Sequence, residues 1–131
     1  MYYHGANPFG LTNNQDCTFE STYIYCILRY PGAAKLNLNR AFNFSNYNYI
    51  KTDVQYTGAV TSSNLQFSIN GTTSGGSGKT YTTKMLVNPG GNYTLSIALP
   101  DKTVFTISVI LYDHDSNAGS KSCKVFRIYF A

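Results

Sequence analysis

Tryptophan is absent from this chain, Glu20 is its only glutamate, and only 12% of the 131 residues are charged. The straight-chain residues that favour helices are correspondingly scarce, which argues against a helical domain. Histidine is limited to His4 and His114, and cysteine to Cys17, Cys26 and Cys123. Neither histidine stands in a context that specifies a catalytic triad, and no paired Cys/His spacing builds a zinc site. Three thiols are too few for a disulfide-stapled scaffold, and Cys17 can reach Cys26 only if the chain bends between them. The longest apolar runs, such as YIYCIL, fall far short of a bilayer span, and no hydrophobic leader follows Met1.

What is present points one way. Tyr (12) and Phe (8) stand among many Thr and Asn residues, so side chains suited to a pleated surface are interleaved with turn formers. Period-two alternation is plainest in the last two-thirds of the chain. It puts Leu65, Phe67 and Ile69 on one face, then Tyr81, Thr83, Met85 and Val87, then Tyr93, Leu95, Ile97 and Leu99, then Phe105, Ile107, Val109 and Leu111. The run CKVFRIYF is apolar on both faces, with Phe126, Ile128 and Phe130 against Cys123, Val125 and Tyr129, as a central strand requires. NPGG (Asn88 to Gly91) reads as a turn, and LPDKT (Leu99 to Thr103) as a connection short enough for a hairpin. Earlier in the chain STYIYCILRY reads as a strand closed by Pro31-Gly32. Phe42 and Phe44 then change parity with Tyr47 and Tyr49, which predicts a bend near Ser45-Asn46. Residues 1–16 read as an arm or coil, and 17–131 as one domain: an all-β, antiparallel β-sandwich of jelly-roll type.

Several motifs can be weighed on their residues. The segment NGTTSGGSGKTY ends like a phosphate-binding loop, but the first glycine of that motif falls on Thr73, and YTTKMLV after it is strand-like. A strand offers neither a helix dipole nor a row of free N–H groups, so the glycines serve a connection and no nucleotide is expected. The formal charge is +4, and the one basic cluster, Lys121, Lys124 and Arg127, has Asp113 and Asp115 close by in sequence. It reads as a solvated edge, and nucleic acid is not an expected partner. In DHDSNAG, the oxygens of Asp113, Asp115 and Asn117 alternate as a hard cation requires. They are candidate ligands for a structural calcium, although an EF-hand fails on the placement of Gly119 and Lys124 and a solvated turn accounts for the same residues. Asp113 and Asp115 are also the only carboxylates close in sequence, and the sole basis for a hydrolase reading.

The aromatics carry more. Phe42, Phe44, Tyr47, Tyr49 and Tyr56 are interleaved with asparagine in SNYNYI. Tyrosine rings stack on the apolar face of a sugar while hydroxyls and amides meet its edges; cross-strand pairing accounts for any single ring equally well. Tyr47, Asn48, Tyr49, Tyr56 and Tyr112 are the expected ligand contacts.

Pro89-Gly90, Tyr93-Thr94-Leu95-Ser96 and Tyr112-Asp113 lie in a stretch that resembles jelly-roll modules of the galactose-binding-like type. Such modules occur in carbohydrate-active enzymes and in tail or fibre proteins of phages. The resemblance covers about a quarter of the chain, and the tryptophan platform of many such modules is absent. It implies a non-catalytic module that binds a glycan or a cell-surface receptor, placed extracellularly or on a virion surface. The alternative is a viral capsid, spike or fibre-head subunit, with its aromatics buried between the protomers of a homo-trimer.

Overall fold

A computed structural model describes residues 2–3, 11–28, 34–43, 45–58, 61–73, 78–99, 104–113 and 121–131, with side chains placed for 16–28, 34, 45–58, 61–72, 78–99, 111 and 121–131. The alternation read from the sequence becomes eleven strands among these residues: β1 (Tyr2–Tyr3), β2 (Leu11–Gln15), β3 (Cys17–Phe19), β4 (Ile24–Leu28), β5 (Ala34–Asn43), β6 (Tyr49–Thr57), β7 (Ser63–Thr73), β8 (Gly78–Val87), β9 (Asn92–Ala98), β10 (Val104–Asp113) and β11 (Lys121–Phe130). They form two sheets. Sheet A has the order β3-β4-β11-β6-β9, with β1 also paired to β11, and sheet B has the order β2-β5-β10-β7-β8. Every pairing is antiparallel. The chain crosses between the sheets at most of its connections, as in a jelly roll. No helix among the described residues is long and apolar enough to cross a membrane.

The inward faces make one core. Leu65, Phe67 and Ile69 of β7 meet Ile50, Val54 and Tyr56 of β6, together with Leu95 and Ile97 of β9. Each fully buried Leu, Ile or Phe contributes about 1.5–3 kcal/mol over its exposed state. Strand β11 is central to sheet A, as its two apolar faces require. Its parity is not continuous, however: the register with β6 slips between Val125 and Arg127. Cys123, Val125 and Ile128 are therefore all buried, while Phe126 and Arg127 are both left on the outer face. Two residues opposite one is the signature of a β-bulge. Thr52 Oγ1 donates to the Arg127 carbonyl at 3.1 Å and so satisfies an acceptor at this irregularity.

Two stretches differ from expectation. The stretch read as arm or coil contains β1 and β2, and β2 lies at the edge of sheet B against β5. Asp16 alone joins β2 to β3 in the other sheet, and its φ of 56° suits an aspartate better than a bulky residue. The Leu99–Thr103 connection is no hairpin, because β9 pairs with β6 in sheet A while β10 pairs with β5 and β7 in sheet B. Length permitted a hairpin, but the two flanking strands find their partners in different sheets. The NPGG turn also crosses. Gly91 N–H donates to the Asn88 carbonyl at 3.0 Å, and Gly90 has φ 80°, which is a type II turn with Pro89 and Gly90 in the central positions. By contrast β7 and β8 do form a hairpin, so Gly78, Lys79 and Thr80 begin a strand and no phosphate-binding helix follows.

Cys17, Cys26 and Cys123 lie side by side on neighbouring strands, since Cys26 faces Cys17 across β3 and Cys123 across β11. All three are free and buried, and Cys17 Sγ is 3.7 Å from Cys26 Sγ. The Cys26 thiol is pushed well above its ordinary value, first by its hydrogen bond with Cys123 and then by burial, with Cys17 pulling the other way.

Candidate functional site

The five residues expected to contact a ligand are dispersed. Tyr56 is 0% exposed: it occupies an even, inward position of β6, so its ring belongs to the core and is closed to any ligand. Tyr47, Asn48 and Tyr49 sit at the corner where the chain turns from sheet B into sheet A, at the predicted Ser45-Asn46 bend. Asn48 and Tyr49 N–H groups both donate to the Ala131 carbonyl at 2.8 Å, and the Asn48 carbonyl accepts from Leu99 N–H. Tyr47, 38% exposed, stacks at a tilt on Phe130 with ring centroids 5.4 Å apart, and Tyr49 is 43% exposed with Lys51 Nζ 5.4 Å from its centroid. Tyr112 pairs with Gln66 in sheet B, near the other end of β10 from that corner. Its side chain and that of Asp113 lie outside the described residues, as do Asp115 and Asn117 of the expected calcium loop.

A different set of residues does converge. On the outer face of sheet A, odd-numbered positions of β6 stand beside outward positions of β11 and β9. Register pairs Asp53 with Arg127 on one side and Thr94 on the other. Arg127 Nε lies 3.0 Å from Asp53 Oδ2, an ion contact whose angle is not that of a hydrogen bond. Thr94 Oγ1 donates to Asp53 Oδ1 at 2.7 Å, and the Tyr129 hydroxyl reaches the same oxygen at 3.5 Å. The Arg127 guanidinium carbon sits 3.8 Å from the Tyr129 ring centroid, so the charge is steered by both a carboxylate and a π face. The next aromatic group is Tyr23 and Phe126, edge to face at 6.3 Å, with Lys124 Nζ 4.8 Å from the Tyr23 centroid. Between these strands lies an open hollow of about 300 Å³ lined by Asp53, Val54, Asn92, Tyr93, Thr94 and Phe126.

This arrangement offers ring faces, a carboxylate with its orientation fixed, and donors around it. The bulge is what makes it, because only a two-for-one register puts Phe126 and Arg127 on the same face. Lys124 and Arg127, expected at a solvated edge, stand instead beside Asp53, which no sequence motif singles out. One signal was available: Asp53 is the lone carboxylate in an alternating strand, where a partner on a neighbouring strand is required if it is half covered.

The fold and this face define a class, an all-β sandwich with a polar and aromatic sheet surface. No protein-family profile and no curated protein matches the chain. Solved structures similar to it include a non-crystalline-cellulose-specific carbohydrate-binding module, CBM28, with a TM-score of 0.61 and 17% identity over 92% of this chain and 79% of that one. A second is the family 11 carbohydrate-binding module of the cellulosomal cellulase Lic26A-Cel5E of Clostridium thermocellum, with a TM-score of 0.56 and 13% identity over 92% of this chain and 82% of that one. A substituted family 29 module, CBM29-2, gives 0.54 and 13% over 93% and 81%. At these identities the likeness is one of fold: the chain is a β-sandwich of the architecture that carbohydrate-binding modules use.

Proposed function

We propose that the chain is a non-catalytic glycan-binding domain whose contact surface is the outer face of sheet A. The observation that carries this reading is Asp53 held by Arg127, Thr94 and Tyr129 beside Phe126, at the rim of an open hollow. A sugar ring has apolar C–H faces and hydroxyl edges. Phe126 supplies an apolar surface for the first, while the Asp53 carboxylate and Arg127 guanidinium accept from and donate to adjacent hydroxyls. The sandwich shared with carbohydrate-binding modules supports the same reading.

In its finer forms this is attachment to a cell-surface receptor, as by a phage tail-fibre head or a bacterial surface protein, outside the cell or on a virion. A capsid or fibre-head subunit has one observation in its favour, the exposure of Met85 and Leu86 on edge strand β8, and it predicts a trimer in sedimentation. Electrophoresis through gels containing soluble polysaccharides tests the leading reading. At least one polymer should retard the protein, and Phe126→Ala and Asp53→Ala should each weaken that by about tenfold with an unchanged circular dichroism spectrum. No retardation by any of a broad panel refutes it.

A further inference from the structure

Charge on the outer face of sheet A is lopsided. The described strands of this sheet carry Lys51, Lys121, Lys124 and Arg127 against the single carboxylate of Asp53. Lys121 is not part of the face: it is 6% exposed and its Nζ lies 3.4 Å from Ser63 Oγ of β7, between the sheets. Three outward cations remain against one anion, and Asp53 is already engaged by Arg127. The other described carboxylates, Asp16 and Glu20, lie in the turns on either side of β3.

The cations are also evenly placed. Lys51 stands in register with Tyr129, Arg127 with Asp53, and Lys124 with Gln55. Positions 51, 53 and 55 are successive outward sites of β6, so the three cationic side chains leave the backbone at levels about 7 Å apart along the strand direction. Each has an aromatic neighbour: Lys51 over Tyr49, Arg127 over Tyr129, Lys124 over Tyr23. A neutral glycan can accept hydrogen bonds from ammonium groups but offers them no counter-charge. A polymer bearing a negative charge on recurrent sugar units uses both, with rings against its C–H faces and Lys or Arg against its carboxylates or sulfates.

Resting on the glycan-binding reading, we infer that the ligand is an anionic polysaccharide, bearing uronate or sulfate groups, laid along β6 and β11 over Lys51, Arg127 and Lys124. The full chain is run through gels containing polygalacturonate, heparin or hydroxyethylcellulose, and titrated with single-stranded DNA. One of the two acidic polymers should retard it most, which separates the carboxylate source from the sulfate. That retardation should weaken about tenfold or more between roughly 20 and 200 mM sodium chloride, as released counterions require. The double variant Lys51→Ala/Lys124→Ala should lose about tenfold on the same gel, with Lys84→Ala, an exposed lysine of sheet B, unchanged. Retardation by hydroxyethylcellulose alone overturns the anionic ligand and leaves the glycan-binding reading standing. Retardation by no polymer overturns both. Binding to DNA as tight as to the best acidic polymer shows a general polyanion surface and overturns the inference.

Discussion

Asp53 and Arg127 separate what binds from what stabilises. Both side chains are a quarter or more exposed, so water screens their attraction and the pair contributes only about 0.2–1 kcal/mol to folding. Asp53→Ala should therefore barely move the urea midpoint while weakening the retardation by polysaccharide. A large loss of stability would make the cluster a structural device instead. Tyr56 is the opposite case, an expected ligand contact that is 0% exposed, and Tyr56→Ala should cost about 3–5 kcal/mol in chemical denaturation. Gly90 has φ 80°, so Gly90→Ala should lower stability by about 1–2 kcal/mol through backbone strain alone, since nothing lies within 4 Å of the added Cβ. The Cys26 thiol gives a pH dependence. Its folded pKa is raised, so the native chain keeps a proton that the unfolded chain releases. That contribution is complete below about pH 8.5, the ordinary thiol pKa. It is lost as pH rises from there through the folded value. Thermal unfolding scans above pH 8.5 should show a steeper fall for the native chain than for Cys26→Ala, and equal slopes would assign the alkaline loss to other groups.

At the scale of the element, β7 and β9 were legible because apolar inward side chains alternate with polar ones on the other face, which writes a period of two into the sequence. The middle of β11 was legible for the opposite reason, being apolar on both faces. Its bulge was not, since a chain apolar on both faces gives no parity to violate. Deleting Phe126 should show how much depends on it. The deletion leaves one residue opposite one, with Cys123, Val125 and Ile128 still inward and Arg127 still outward, so the chain should unfold sharply while losing the apolar contact, and with it the retardation, that Phe126 supplies. Phe126→Ala keeps the bulge and should unfold sharply. The Leu99–Thr103 connection was misread because five residues suit a hairpin and a crossing equally well. What decides is the sheet in which each flanking strand finds its partners, and those partners are distant in sequence: β9 lies on β6, and β10 between β5 and β7. The Asp53–Arg127 contact was hidden by the same distance, 74 positions along the chain being bridged by register alone.

At the scale of the whole molecule, nearly every strand is held by another far away in sequence. Ser122 of β11 lies opposite Thr57 of β6 on one side and Ile27 of β4 on the other. Such pairings must close long loops before any contact forms, so refolding should take milliseconds to seconds, measurable by stopped-flow fluorescence of the tyrosines. Three thiols in a row across β3, β4 and β11 add a property of the molecule's surroundings. Directly opposed residues of antiparallel strands have Cα atoms at a spacing a disulfide accepts. Cys26 has such a neighbour on both sides, but any one bond excludes the other. In a reducing compartment the short edge strand β3 is held by three backbone pairs and the burial of Cys17. In an oxidising one it can be tied covalently to β4 through Cys17, or released from that choice when Cys26 bonds to Cys123 instead. Which neighbour Cys26 takes would thus decide whether β3 is tied covalently or by backbone pairing alone.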